Sequence, residues 1–519
     1  MIATADIEQI YDRMLEYRQD PIEFGIDILS INPEFVWDKM VEIANSVRDN
    51  QRTAVRAAHS VSKTFTVGRI VVPWFKTCFQ PSTVITTAPS DNQVRNQLWR
   101  EIHAAYGGAK VPLGGKMNNL MWDVKPSEGI LQQLSPQERA QWEKNFAIGF
   151  TTRPDEATEH ATKMQGWHNE WLLVALDEAC GMHPQIWRTV MESLIIDEHC
   201  KVIAIGNPTD PESEFAKVCY SSDPVKQEGN ATFISDAGWT VITISAMDTP
   251  NYKQNRRVIP GLAGREYVER IIKKYGPNGD GTRYRVLGLF PTYKEGTYYG
   301  FKLAAAEKAG RVGFYPWDNS LPVYTASDTG DTWTATIFFQ LKAGGIRIMD
   351  DYWDNEGQGI PAWTKALNSK PYTYGKEHFV GPELAAGTPG RFQTGRATTD
   401  IAASIGYNMM PVIKHSFNNG IEAARDIWDL LQINKNTCKT FIAAASGYGK
   451  EKNEATSTDE ETVYYDQPAK TWHRHMMDAF RHLAVAFRYM EIGGERLGEF
   501  RYTKKSGQTK AQSEWISLG

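Results

Sequence analysis

Leu172-Leu173-Val174-Ala175-Leu176 is apolar at every position and runs straight into Asp177-Glu178. A strand of that kind belongs inside a sheet, with its polar chemistry displayed at the strand's C-terminal end. It is one of a series. Thr53 to Ala58, Thr83 to Ala88, Lys201 to Gly206 and Thr240 to Ser245 also read as strands, separated by stretches with helical spacing such as Asp91 to Ala105 and Pro184 to Ile196. Asp91 is placed as the N-cap of the first of these helices. Strands alternating with helices predict an α/β fold, a parallel sheet covered by helices.

The pattern changes after Pro291. The stretch to Pro322 has weak periodicity and holds Gly296, Gly300, Gly310, Gly313, Pro316 and Pro322, so the domain junction is expected there. Beyond it, Val323 to Ser327, Thr334 to Leu341 and Gly345 to Met349 read as an antiparallel meander turning at Lys342-Ala343-Gly344. Helices at Pro361 to Leu367, Thr398 to Ile405, Gly420 to Leu431 and His475 to Phe487 then alternate with short strands at His378 to Gly381 and Pro411 to Lys414. Three strands followed by alternating helices and strands is the order of an RNase H-like fold. The expected domains are 1–295, a linker at 296–322, 323–492, and a mobile polar tail at 493–519 carrying Lys504, Lys505 and Lys510.

A chain of 519 residues with 41% hydrophobic and 23% charged residues fits two folded domains rather than a disordered polymer. Its five cysteines, Cys78, Cys180, Cys200, Cys219 and Cys438, form no C-x-x-C pair, which argues against a zinc site and for a reducing compartment. No stretch approaches the roughly 18 uninterrupted apolar residues of a membrane span, and the start lacks a secretion signal. The net charge of -5 does not advertise a nucleic-acid binder, but a local basic groove can coexist with acidic clusters. Arg265, Arg270, Lys273 and Lys274 are candidate phosphate contacts, set against the simpler reading of a solvated helix face.

Two sites follow from the residues. After the first strand comes His59-Ser60-Val61-Ser62-Lys63-Thr64. A phosphate-binding loop needs backbone N–H groups around an anion, a Lys on the phosphates and a hydroxyl on Mg²⁺ at a helix N-terminus. Ser60 and Ser62 line the loop, and Lys63 and Thr64 fit the last two roles. The pattern wants glycine where Ala57 and Ser62 stand, so the loop must find an allowed geometry or accept strain. Asp177 is positioned to hold the Mg²⁺ shell and Glu178 to polarise the attacking water, while Asn207 and Thr209 end another strand near the γ-phosphate. Arg56, Arg95, Arg100 and Arg153 are candidates for offsetting transition-state charge. A surface turn and helix-capping carboxylates are the plainer alternatives.

Metal-assisted phosphodiester cleavage uses carboxylates to hold two divalent ions roughly 4 Å apart. Asp328 ends a strand expected to lie centrally in the second domain's sheet, Asp478 sits near the start of a helix whose apolar face would pack on that sheet, and His475 shares a helix face with Asp478. Glu383, from a neighbouring strand end, is the expected bridging carboxylate, with Asp331 and Asp400 as reserves. A turn residue and a helix cap are again the plainer alternatives.

These residues resemble the large terminase subunit of tailed phages. The matching stretches are Ala57 to Thr64, Val84 to Pro89 with Gln93 to Glu101, Gly166-Trp167-His168, Leu172 to Cys180, Ile203 to Thr209, Pro260-Gly261, Ser327 to Asp331 and His475 to Arg481. The resemblance implies a P-loop NTPase domain followed by an RNase H-like nuclease domain, using ATP and Mg²⁺ or Mn²⁺. Lys63, Thr64 and Asp177 would bind nucleotide and metal, Glu178 would be the catalytic base, and Asn207 and Thr209 would couple hydrolysis to movement. Asp328, Glu383 and Asp478 would hold the nuclease metals. It further implies double-stranded DNA, a portal protein and a small terminase subunit as partners, ring assembly on a capsid shell, and a place in the host cytoplasm. The competing readings are a P-loop helicase or repair ATPase fused to a nuclease, and an inactive scaffold.

Overall fold

The computed structural model describes residues 13–496, except 127, 152–163, 165, 331–332, 343–344, 356–358, 386–396, 454–455 and 458–461. Arg153, Asp331 and the lysines Lys504, Lys505 and Lys510 lie outside the described residues, as does the turn residue Gly344. Two compact units divide the chain between Pro291 and Thr292.

In the first unit the strands are β1 (Arg52–Ala57), β2 (Ser82–Ala88), β3 (Lys116–Asn118), β4 (Met121–Asp123), β5 (Phe146–Thr151), β6 (Trp171–Leu176), β7 (Cys200–Gly206), β8 (Phe233–Ile234) and β9 (Thr240–Ile244). Among the described residues they form one sheet in the order β3-β4-β5-β2-β6-β7-β1-β9-β8. From β5 to β9 every pairing is parallel; the hairpin β3–β4 and the short β8 close the two edges antiparallel. The central strand β6 is apolar throughout because both its faces are covered. Leu173 and Ala175 pack into the core on one side, and Leu172, Val174 and Leu176 into that on the other. With β1 between β7 and β9, and β6 between β7 and β2, this is the sheet order of a P-loop NTPase.

β5 was not among the expected strands, because Gly149 interrupts its apolar run. That glycine is needed in place: a Cβ there would collide with the indole Nε1 of Trp99. A second difference lies at the helix beginning Asp91. Its N-cap is Ser90, whose hydroxyl accepts from Gln93 N at 3.3 Å while the Gln93 side chain accepts from Ser90 N at 3.1 Å. Ser with Gln three residues on forms a reciprocal box that Asp91, inside the first turn, cannot make.

In the second unit the strands are β10 (Val312–Gly313), β11 (Val323–Thr329), β12 (Thr334–Lys342), β13 (Gly345–Asp354), β14 (Tyr374–Val380), β15 (Met409–Pro411) and β16 (Leu431–Asn434). Their order among the described residues is β10-β16-β13-β12-β11-β14-β15. The meander β11–β12–β13 is antiparallel, and β14 and β15 add to β11 in parallel, which is the RNase H-like arrangement. The stretch 296–322, expected as a linker, contributes the helix Gly300–Lys308 and β10, with Tyr299, Leu303 and Ala306 buried in this unit's core. β16, whose first residue Leu431 was expected to end a helix, is a strand beside β13. The helix His473–Tyr489 lies against β11 and β12 and buries Met476, Met477, Phe480, Leu483 and Phe487.

His378 on β14 is buried with Nδ1 2.9 Å from the Thr325 hydroxyl, and burial pushes its pKa down to about 4. The unfolded chain, with an ordinary value of about 6.5, therefore binds more protons than the folded one between those limits. Stability rises with pH across that window and is lost as pH falls through it. Thermal melting should accordingly show a smaller drop between pH 7 and pH 4.5 in His378→Gln than in the parent. Equal drops would show that this histidine does not contribute.

Candidate functional site

Parallel strands end at one edge of a sheet, so the residues following β1, β6 and β7 meet there. Lys63 Nζ donates to Asn207 Oδ1 at 3.0 Å and lies 3.5 Å from Glu178 Oε1. Thr64 Oγ1 donates to Asp177 Oδ1 at 3.4 Å, and Glu178 N donates to the same oxygen at 2.9 Å. Asn207 Nδ2 reaches back to Ala57 O at 2.7 Å, tying the end of β7 to the start of the loop. Thr209 N donates to Asn207 O at 2.9 Å and closes the turn beyond it. Gly206 lets the β7 end pass the turn at Glu178, since a Cβ would lie 3.0 Å from Ala179 N.

Asp177 is 1% exposed, and its Oδ2 is buried with no hydrogen-bond partner. Burial, with the neighbouring Glu178 charge, pushes its pKa up to about 7 against the pull of Lys63. A buried carboxylate oxygen left unmatched beside a threonine hydroxyl fits a divalent cation. Thr64 and Asp177 are the residues that would hold it.

The loop resolves its shortage of glycine by accepting strain. Ser60 and Ser62 adopt left-handed conformations, with φ of 55° and 61°, and Glu178 does the same at 49°. Lys63–Phe65 opens a helix that continues through a wider turn, Thr66–Val71, into Val72–Cys78.

The three candidate arginines among the described residues have other partners. Arg56 is fully buried, donating to Thr243 Oγ1 at 2.9 Å and to the carbonyls of Lys226 and Gly229, with its guanidinium 5.1 Å from the Phe233 ring centre. Arg95 pairs with Asp91, and Arg100 with Glu101. On the helix Arg265–Tyr275, Arg265, Arg270, Lys273 and Lys274 are exposed while Val268 and Ile271 face the core. Arg265 stacks on Tyr252 and Arg270 sits 3.9 Å from Glu266.

In the second unit Asp328 lies near the end of β11, which β12 and β14 flank. Its Oδ2 is 3.0 Å from His475 Nδ1 and accepts from Trp333 Nε1 at 3.1 Å. His475 is stacked on Trp333 at 3.9 Å. Asp478, one turn along the helix, pairs with Arg481 through Oδ1 and with Arg474 through Oδ2 at 3.4 Å. His482, a further turn on, has Nδ1 3.0 Å from Ser327 O.

Burial pushes Asp328 up, but the His475 hydrogen bond and the charges of His482 and His475 outweigh it and hold the carboxyl below its ordinary range. Asp478 is pushed up by burial; Arg481 opposes this, and the negative charge of Asp328 adds to it. The two carboxylates therefore sense each other. Glu383 follows β14, whose register sets Val380 beside Ser327, so it stands at the same sheet edge. Its carboxylate folds back over Gly381, and its charge reaches His415. Asp400 is exposed in the first turn of the helix Thr398–Ser404. Among the described residues no three His, Cys, Asp or Glu side chains are gathered as a metal cluster. A metal at Asp328 and Asp478 would share these carboxylates with His475 and the two arginines or displace them.

Sequence reasoning missed His482, Arg474, Arg481 and Trp333. The spacing of His475, Asp478 and His482, three and then four residues apart on one helix face, was the available signal.

No protein-family model matches the chain, and no curated protein does. The chain is similar to solved phage large terminases. The large terminase of bacteriophage HK97 shares 10% identity over 92% of this chain and 98% of that one, with a TM-score of 0.41. That of the thermophilic bacteriophage D6E shares 14% over 88% and 99%, with a TM-score of 0.34. The large terminase nuclease of thermophilic phage G20c, solved with bound magnesium, shares 15% over 38% of this chain and 99% of that one, with a TM-score of 0.25. At these scores the likeness assigns no residue a role. Among the described residues no helix is long and apolar enough to cross a membrane.

Proposed function

We propose that this chain is the subunit of a viral DNA-packaging motor that hydrolyses ATP to drive duplex DNA into a capsid shell and cuts that DNA with a metal-dependent nuclease. The observation that carries the reading is the meeting of Lys63, Thr64, Asp177, Glu178 and Asn207 at one strand-end pocket, in a chain whose other unit pairs Asp328 with a histidine on an RNase H-like sheet.

Lys63 is held by Asn207 and Glu178. Phosphate oxygens would draw its ammonium away from both, leaving Glu178 free to accept a proton from the attacking water. Asn207, tied to the loop through Ala57, would pass that change along β7 and β1. Mg²⁺ bound with the nucleotide would supply charge neutralisation on the phosphates, with Thr64 and Asp177 as its protein ligands. In the second unit, Asp328 and Asp478 are the proposed metal ligands and Glu383 the third, a role that requires its carboxylate to swing away from Gly381. Divalent metal there would supply Lewis-acid activation of water and stabilise the leaving oxygen. Exposed cations on the helix Arg265–Tyr275 would add salt-sensitive contacts to DNA phosphates. Portal protein, a small terminase subunit and neighbouring copies in a ring on the shell are the proposed partners, in the host cytoplasm.

The test is ATP hydrolysis with and without duplex DNA, alongside a strand-displacement assay on the same duplex. A packaging motor shows DNA-stimulated hydrolysis without releasing a single strand. Released strand would favour a helicase, and an absence of hydrolysis would leave a scaffold.

A further inference from the structure

A serine at the first position before a helix ordinarily turns its hydroxyl onto the helix's own free N–H groups. Ser62 occupies that position before Lys63, and its side chain makes no such cap. Its Oγ instead accepts a hydrogen bond from the indole Nε1 of Trp37 at 2.9 Å. Trp37 stands immediately before the helix Asp38–Asp49, is 6% exposed, and belongs to the first unit's core. It is a fixed platform 25 residues upstream of the loop.

The remaining loop contacts have the same character. Ser60 O accepts from Ala263 N at 2.8 Å. The segment carrying Ala263 is itself tied down, since Thr249 Oγ1 donates to Ala263 O at 2.7 Å and the Asn251 side chain donates to the carbonyls of Ile259 and Leu262. Ser62 O accepts from Thr66 N and Thr66 Oγ1 at 2.9 and 2.8 Å. Two left-handed serines that a glycine loop would not need are thus held by surroundings that over-determine them.

We propose that Trp37 is a positioning residue of the nucleotide site: by holding the Ser62 hydroxyl it keeps the loop in its left-handed shape and leaves the N–H groups around Lys63 open to phosphate. The proposal rests on the nucleotide-site reading above. Without the indole N–H, the Ser62 hydroxyl is free to cap its own helix and compete with the anion for those donors. Glycine at position 62 removes both the competitor and the backbone strain, so it should make Trp37 dispensable.

The experiment is binding of fluorescently labelled ATP with Mg²⁺ to the full-length chain, comparing parent, Trp37→Phe, Ser62→Gly and the double variant. Trp37→Phe should raise Kd about fivefold, the size of one net hydrogen bond. The double variant should return to within about twofold of Ser62→Gly. A packing role for Trp37 would not be rescued at position 62, so a double variant as weak as Trp37→Phe overturns the proposal. An unchanged Kd in Trp37→Phe does so as well. Trp37→benzothienylalanine, which keeps the indole shape without its N–H, gives the same comparison if phenylalanine impairs folding. Failure of the parent itself to bind labelled ATP would sink the nucleotide reading, whereas binding that is indifferent to the N–H sinks only the role of Trp37.

Discussion

Glu178→Gln should lower DNA-stimulated ATP hydrolysis by about two to four orders of magnitude, the span that a positioned general base contributes, while labelled ATP still binds. The substitution keeps the side chain's length and its neighbour Lys63, which lies 3.5 Å from Oε1. What it removes is the ability to take a proton. The side chain is one-quarter exposed, so it is free to turn from Lys63 toward a water once phosphate engages the lysine. Asp177 lacks that freedom, being buried and bonded to Thr64 Oγ1 and Glu178 N. On the proposed reading the two adjacent carboxylates would divide the work between proton acceptance and metal binding. Equal hydrolysis rates for parent and variant would refute the assignment, and equal rates no higher than background would leave the scaffold reading standing.

Asp328→Asn should abolish Mg²⁺- or Mn²⁺-dependent cleavage of plasmid DNA, a loss of about three orders of magnitude or more given the several kcal/mol a metal contributes. ATP hydrolysis should stay at the parental rate, because Asp328 belongs to the other compact unit. Asparagine can still accept from His475 or Trp333, so the fold around β11 should survive, and thermal melting checks this. Asp478→Asn should also lose cleavage. It removes the charge opposing Arg481, which is itself largely enclosed beside Phe417, so a lower melting temperature is expected in that variant alone. Loss of both activities in Asp328→Asn would contradict separate sites.

The two sites differ in how far they could be read from the chain. Lys63, Thr64, Asp177, Glu178 and Asn207 each sit at or just beyond the end of an apolar run, and parallel pairing brings strand ends together without further information. The second site depends on where the helix His473–Tyr489 lands, because Asp328 and Asp478 are 150 residues apart and share no strand edge. Helical spacing put His475 and Asp478 on one face, but no local pattern revealed that His475 would bond Asp328 or that Arg481 and Arg474 would hold Asp478. Glu383 shows the limit most plainly: the register of β14 brings it to the edge that carries Asp328, while its rotamer turns it onto Gly381.

By itself the sequence located β1, β2, β6, β7 and β9 of the first sheet and the meander β11–β12–β13 of the second, since alternation of apolar runs with helical stretches is a local property of neighbouring residues. It also located the weak point of the phosphate loop, because glycine's absence can be read from the letters alone. Only the tertiary structure decided how that weakness is met. Trp37 and Ala263 lie far from the loop in sequence, and their hydrogen bonds to Ser62 and Ser60 exist only because packing fixes each donor in place. A left-handed serine is unfavourable in an isolated loop and becomes stable when the surrounding fold supplies partners that no other conformation could reach.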